Sequence, residues 1–277
     1  VLIPGVGLIR GGARSWLGVG AFSIQPSEFM KMAMIVFLAK YLSEHQKQIT
    51  SFTRGLVPPL ALVFVAFALI MLQPDLGTGA VMVLTCVVMI FIAGARIRHF
   101  VALGFVGLLG FVFLIISAPY RIKRITSFLD PWSDPLGSGF QIIQSLYAVG
   151  PGLLMGMGLG ESRQKYFYLP EPQTDFIFAI LSEELGFIGG AFVLFLFALI
   201  MFRGIQIALG APDLFGSFLA VGITAMIAIQ VMINIGVVIG LIPVTGITLP
   251  LLSYGGSSLT LMLFSLGILL SISRYCK

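Results

Sequence analysis

The chain has 277 residues, 58% of them hydrophobic and 10% charged, with a mean hydropathy of +1.07. Soluble domains carry about 25% charged residues, so these proportions exclude a soluble globular fold and a disordered chain and point to an all-α, polytopic membrane helical bundle. The formal charge of +5 is read as attraction to anionic lipid head groups and a bias of basic loops to one face, not as a nucleic-acid footprint. No P-loop, dinucleotide fingerprint or basic nucleic-acid stripe is present.

The chain opens on an apolar stretch, residues 1–9, read as the outer end of a truncated helix. No charged segment with a small-residue cleavage site follows, so no signal peptide is expected and the natural protein is expected to continue upstream. Seven membrane-length helices are predicted at about residues 26–43, 56–72, 78–93, 100–117, 176–202, 214–241 and 256–272, together forming one membrane domain over residues 1–277. The third is short, which suits tilt or close packing. Pro26 fits the first helical position, Glu28 lies in the first turn, and Glu28 and Lys31, three apart, can pair on one face. Pro58 and Pro59 open the second helix, where missing N–H groups matter little. Asp75 follows Pro74 at a short turn and is placed to cap the next helix, with substrate contact as the minor reading. Cys86 and Cys276 make no disulfide framework, and His45 and His99 lie far apart, so no His/Cys metal site is expected.

Residues 118–175 form a large, polar, glycine-punctuated loop between the fourth and fifth helices. Arg121, Lys123 and Arg124 lie near its start and Arg163 and Lys165 towards its end, balanced by Asp130, Asp134, Glu161, Glu171 and Asp175. The cations build a local anion site if the ends meet; they suit anchoring to lipid phosphates equally well. The spacing of Ile142, Ile143, Leu146, Tyr147 and Val149 predicts a short helix over 140–149 lying on the membrane surface. Residues 150–160 are apolar but broken by glycine, a candidate re-entrant run, which is tolerated only against protein or a wet cavity. Residues 168–175 (YLPEPQTD) place Asp175 at the start of a helix, where Thr174 or Asp175 also fits a capping role.

Glu183 and Glu184 lie inside a membrane helix, where carboxylates are paired or functional. At 1.5 Å per residue they fall about 12 Å below Asp175, which favours pairing within the bundle over direct catalysis. Gln230 and Asn234, four apart, suit hydrogen bonds between helices. Residues 253–258 (SYGGSS), with Ser257 and Ser258, open the last helix with small side chains that suit close packing or the floor of a groove for a lipid tail. Over the whole chain the basic residues divide evenly between the two faces. The short loops 73–77 and 242–255 contain none, whereas the short loops on the other side, with Arg54, Arg96, Arg98 and Arg203, all contain one. Short loops carry the topological signal, so those and the C-terminus are expected in the cytoplasm, with the large loop and Asp175 outside.

Five stretches stand out as a set: residues 12–17 (GARSWL), 25–28 (QPSE), 73–78 (QPDLGT), 168–184 (YLPEPQTDFIFAILSEE) and 250–258 (PLLSYGGSS). On these motifs, spread over nearly the whole chain, the sequence resembles the shape, elongation, division and sporulation family of bacterial cell-wall polymerases. The wording is closest to the sporulation branch, and the division and rod-shape branches share most of it. Members have ten spanning helices, so the resemblance implies that these seven are the fourth to the tenth. It implies a peptidoglycan glycosyltransferase that polymerises lipid II into glycan strands at the outer face of the bacterial plasma membrane, with a class B penicillin-binding protein as transpeptidase partner.

Asp175 matches the family's essential aspartate. The implied chemistry is a base taking the proton from the acceptor sugar's 4-hydroxyl as that oxygen attacks the anomeric carbon of the growing chain. Undecaprenyl pyrophosphate leaves and the anomeric centre inverts; such a base contributes about 10²–10⁴-fold. A helix N-terminus favours the ionised carboxylate and weakens it as a base, while partial burial acts the other way. Arg121, Lys123, Arg124, Arg163 and Lys165 are the candidate pyrophosphate contacts. A diphosphate must be neutralised, so a divalent cation, magnesium or manganese, is compatible with this chemistry, although no ligand cluster in the sequence identifies a metal site or a required cofactor. Two other readings stand beside this one: a flippase for the same lipid, with Gln230, Asn234 and the buried carboxylates lining a path near the midplane, and a non-catalytic scaffold for the transpeptidase.

Overall fold

Three short strands, not a helix end, begin the fold: β1 (Leu8–Arg10), β2 (Ala13–Val19) and β3 (Phe22–Ile24) form an antiparallel meander in the order β1-β2-β3. The register pairs Ile9 with Arg14 and Gly18 with Ser23. Gly11, Gly12 and Gly20 cut this part of the sequence into runs of strand length, too short for a helix. The computed structural model describes residues 1, 7–10, 13–19, 22–166 and 168–276. Residues 2–6 of the expected helix end and Gly12 of the first motif lie outside them. The all-α expectation thus gives way to a mostly helical fold with a small sheet.

Helices form at all seven expected places: α1 (Pro26–Glu44), α2 (Val57–Met71), α3 (Leu76–Ile92), α4 (Ile97–Ile116), α7 (Ile177–Gly210), α8 (Leu214–Val238) and α9 (Gly256–Ser273). Among the described residues, five segments are long and apolar enough to cross a membrane: Phe52–Met71, Ile97–Ile116, Ile177–Gly210, Leu214–Val238 and Gly256–Ser273. The multi-pass character is therefore plain, and five of the seven expected spans meet that measure. α1 carries Glu28, Lys31, Lys40 and Glu44, and α3 has only 17 residues.

The chain divides into two compact units, one of Val1–Phe100, Leu199–Ile229 and Gly255–Lys277, the other of Val101–Ala198 and Gln230–Tyr254. In the first, α1 packs on α2, α3 and α9 around fully buried Ile35, Leu38, Leu42 and Met89. The Glu28–Lys31 pair forms at 2.8 Å and is buried, so two charges enter the apolar unit as a neutral couple. Asp75 caps α3 by accepting from Thr78 N at 3.0 Å, and its other oxygen accepts from Gln25 Nε2 at 3.0 Å.

The second unit holds the loop, which is more ordered than its polarity implies. Two helices occupy it: α5 (Pro119–Leu129), which was not anticipated, and α6 (Phe140–Val149) at the expected bounds. α6 buries Ile142, Ile143, Ser145 and Ala148, and Ser145 Oγ donates to Val238 O at 2.8 Å, so this face is docked on protein rather than laid on a membrane surface. α7 is broken at Gly186, whose φ of 65° and ψ of −164° leave the helical region. An intact helix would bond Phe187 N to Glu183 O and Ile188 N to Glu184 O. Instead Phe187 N and Ile188 N donate to Leu153 O and Leu154 O at 2.8 and 3.1 Å, while Met157 N and Gly158 N donate to Glu183 O and Glu184 O at 2.9 and 3.0 Å. The glycine-broken run thus replaces two helical rungs one for one. Only glycine permits the approach, since a Cβ on Gly156 would stand 2.1 Å from Glu184 O and one on Gly186 2.3 Å from Gly156 N.

Candidate active site

Asp175 sits at the end of an irregular approach, and the structure shows what holds it. α7 starts at Ile177, so Phe176 takes the cap position; its carbonyl accepts from Ala179 N and Ile180 N, leaving Asp175 one residue before the cap. Asn234 of α8 gives both side-chain N–H bonds to this region, to Asp175 O and to Ile247 O, each at 2.7 Å. Ser253 Oγ donates to Thr174 O at 2.5 Å and accepts from Leu249 N at 2.7 Å, and Tyr254 N donates to Gln173 O at 2.8 Å. The backbone from Gln173 to Asp175 is therefore tied to α8 and to the irregular segment after it. Asn234 was expected to join two helices; it joins a helix to two loops. Gln230, one turn away, is 2% exposed with its side-chain oxygen unpartnered. The four-residue spacing of these two amides was the readable signal, but not its target.

The Asp175 carboxylate is half-buried. Burial pushes its pKa from 3.8 up to about 6, helped by the neighbouring charge of Glu171; a hydrogen bond from Thr174 and the charge of Arg124 pull the other way. Glu171 lies in the left-handed region at φ 51° and accepts from Thr174 Oγ1 at 3.1 Å, so the turn itself brings the two carboxylates together. Gly246, at φ 76°, faces the site: a Cβ there would stand 3.5 Å from Asp175 Oδ2. Thus burial and Glu171 outweigh the ionising influences of Thr174 and Arg124.

The basic residues separate into two groups. α5 carries Arg121, Lys123 and Arg124. Arg124 Nη1 donates to Val244 O at 3.1 Å, on the segment that also reaches Asp175. Arg121 Nη1 donates to Leu114 O at 2.7 Å, closing the end of α4, and both guanidiniums lie by the Tyr120 ring, at 5.3 and 6.0 Å. Lys123 is exposed. Arg163 and Lys165 belong to a different anchorage. The Glu183 carboxylate accepts from Ser162 Oγ at 2.5 Å, Arg163 N at 3.1 Å and Gln164 N at 3.3 Å; Glu184 accepts from Ser162 N at 3.4 Å and pairs with Lys165 Nζ at 3.0 Å. These carboxylates therefore clamp the loop rather than pair across the bundle, and Lys165 is already engaged. The Arg163 side chain is exposed and, with Gln164, Tyr166 and Tyr168, lines a cavity of about 480 Å³.

Ser257, Glu28, Lys31 and Asp75 lie in the other unit. Ser257 is buried, donates to Ser23 O at 3.3 Å and accepts from Gln25 N at 3.2 Å, while Ser258 is half-buried. Among the described residues, no group of three or more His, Cys, Asp or Glu side chains is placed to hold a metal ion.

A family profile described as "Cell cycle protein" (FtsW, RodA, SpoVE) matches residues 1–277. Stage V sporulation protein E of Bacillus subtilis (strain 168) is 78% identical over 277 residues, covering 100% of this chain and 76% of that protein. The probable peptidoglycan glycosyltransferase FtsW of Geobacter sp. (strain M18) is 44% identical over 273 residues, covering 99% of this chain and 74% of that one. Among solved structures, a chain from work on "structural coordination of polymerization and crosslinking by a peptidoglycan synthase complex" superposes with a TM-score of 0.78 at 35% identity, covering 99% of this chain and 76% of its own. The rod shape determining protein RodA of Thermus thermophilus does so with a TM-score of 0.67 at 31% identity, covering 99% of this chain and 73% of its own. The matched residues include every motif on which the resemblance rested, and the chain belongs to the FtsW/RodA/SpoVE family, the shape, elongation, division and sporulation proteins.

Proposed function

We propose that this protein is a peptidoglycan glycosyltransferase that polymerises lipid II at the outer face of the bacterial plasma membrane, in sporulation or division. The observation that carries the reading is Asp175: a half-buried carboxylate outside the spans, raised to a pKa of about 6, on a backbone pinned by Asn234 and Ser253. At neutral pH it is ionised and basic enough to accept a proton. The acceptor's 4-hydroxyl loses its proton to the Asp175 carboxylate as its oxygen bonds the anomeric carbon of the growing chain. The bond from that carbon to the diphosphate breaks, undecaprenyl pyrophosphate departs with the electron pair, and the centre inverts. Arg124, and Arg121 beside it, supply positive charge for the diphosphate. A divalent cation, if bound, would add positive charge at the diphosphate, although no group of three or more His, Cys, Asp or Glu among the described residues is placed to hold it.

In the same proposal α1 and α3 cross the membrane with the five apolar spans, the ion pair of Glu28 and Lys31 making α1 tolerable there. The chain then works as one membrane domain with the loop outside and the C-terminus in the cytoplasm. A class B penicillin-binding protein is the partner. The transporter reading draws on the break in α7, since interrupted helices build many transport sites. The backbone groups freed at that break are taken by residues 153–158, which supports the polymerase instead.

The test is polymerisation of labelled lipid II by purified protein with its partner. Wild type yields glycan ladders and Asp175→Ala none. Ladders from the variant overturn the assignment of the base; flipping without ladders from wild type favours transport.

A further inference from the structure

We propose that the cleft lined by Arg163, Gln164, Tyr166 and Tyr168 is a subsite for the glycan strand, a saccharide chain carrying anionic groups; this rests on the glycosyltransferase reading. The cavity, about 480 Å³, falls within the range of small-molecule sites, about 300–1,000 Å³. Tyr166 and Tyr168 are 64% and 60% exposed. Exposed tyrosine rings lining a concavity suit an occupant with an apolar face and a polar edge. A pyranose has both, since its C–H face stacks on a ring while its hydroxyls point outward. Gln164 has a side-chain oxygen buried without a hydrogen-bond partner, an acceptor suited to a hydroxyl donor. Arg163 adds a fork that matches a carboxylate.

The cleft is built rather than incidental. Glu183 holds the backbone N–H groups of Arg163 and Gln164, and Leu169 N donates to Gln164 O at 3.2 Å. Lys165, paired with Glu184, places its ammonium 5.3 Å from the Tyr166 ring centroid. The side chains that face the cleft are thus carried on a loop fixed to α7. Tyr168 precedes Asp175 by seven residues, at most about 25 Å of extended chain, so a strand of a few sugars seated here keeps an end near the base.

The experiment measures binding of lipid-free, uncross-linked glycan strands of several disaccharide-pentapeptide units to the purified protein, by calorimetry. Wild type and Asp175→Asn bind alike. Tyr166→Ala with Tyr168→Ala binds at least tenfold more weakly at an unchanged melting temperature, Tyr166→Phe with Tyr168→Phe binds as wild type, and Arg163→Ala weakens binding and flattens its salt dependence. Binding by the double alanine variant within twofold of wild type overturns the subsite. So does a double variant that keeps the strand but loses its transpeptidase partner, which gives the tyrosines to a protein interface. Absent ladders from wild type strike the glycosyltransferase reading instead, whatever the strand binding shows.

Discussion

The approach to α7 and its first turns present two kinds of carboxylate within ten residues, Asp175 before the helix and Glu183 and Glu184 inside it, and their surroundings differ in the supply of donors. Glu183 and Glu184 are surrounded by them: a hydroxyl, three backbone N–H groups and the Lys165 ammonium. Asp175 has another carboxylate, Glu171, for a neighbour, and burial outweighs the help it receives from Thr174 and Arg124. Carboxylates engaged by many donors fix what they touch; one held in a poorer environment is free to exchange a proton. Sequence position says little about which fate a carboxylate meets, because the donors to Glu183 come from about twenty residues upstream.

The contrast is broken most directly by removing each kind in turn. Asp175→Ala is expected to lower polymerisation by about 10²–10⁴-fold without lowering the melting temperature. Glu183→Ala should act on structure first. It leaves Ser162 Oγ and two backbone N–H groups short of an acceptor, each worth about 1–3 kcal/mol if buried unsatisfied. Faster hydrogen exchange across residues 160–166 than in wild type checks it; unchanged protection there ends the clamp. Asn234→Leu comes next, since it frees the carbonyls of Asp175 and Ile247 together. Turnover should fall about tenfold or more at unchanged protein yield, whereas a loss confined to KM would mean that Asn234 serves binding and not the placing of the base.

Asp175→Asn sharpens the comparison through stability. The carboxyl has its pKa raised from 3.8 to about 6 on folding, so the folded state disfavours the ion. That penalty is absent below about pH 4, where both states are protonated, grows as pH rises, and is complete above about pH 6. Asparagine removes it. The variant should melt higher than wild type at pH 7 and equal to it near pH 4, as followed by calorimetry in detergent. Equal melting at both would mean that Asp175 is not held against its charge.

The apolar runs made the seven helices readable, and α6 emerged at its expected bounds, because period and length suffice for such elements. α5 was hidden by its charges: Arg121, Lys123 and Arg124 looked like a loop, although Pro119 at its start is a helix-opening residue. The strands were hidden by apolarity, with glycine spacing the overlooked signal. The break at Gly186 could not be read locally, since residues 177–195 form one continuous apolar run apart from Ser182, Glu183 and Glu184; only the distant carbonyls of Leu153 and Leu154 complete it. In the candidate site, Asp175 was legible from its motif, and Asn234 was noticed without its purpose. Glu171 was counted only as a charge of the loop, because its effect on Asp175 depends on a turn at positive φ.

That last residue supplies the smallest and most specific test. A base must be ionised to accept a proton, so polymerisation should decline as pH falls through about 6, the value at which Asp175 takes up its own proton. The Glu171 charge raises that value, so Glu171→Gln should carry the acid limb to lower pH while leaving the plateau within about twofold of wild type. Glutamine keeps an oxygen for Thr174 Oγ1 and so preserves the turn. Initial rates of ladder formation across pH 5 to 8 decide the matter. A limb that stays in place means the raised basicity comes from burial alone; a limb that moves to higher pH contradicts the electrostatic pairing of Glu171 with Asp175, because removing a negative neighbour can only make the remaining carboxyl easier to ionise.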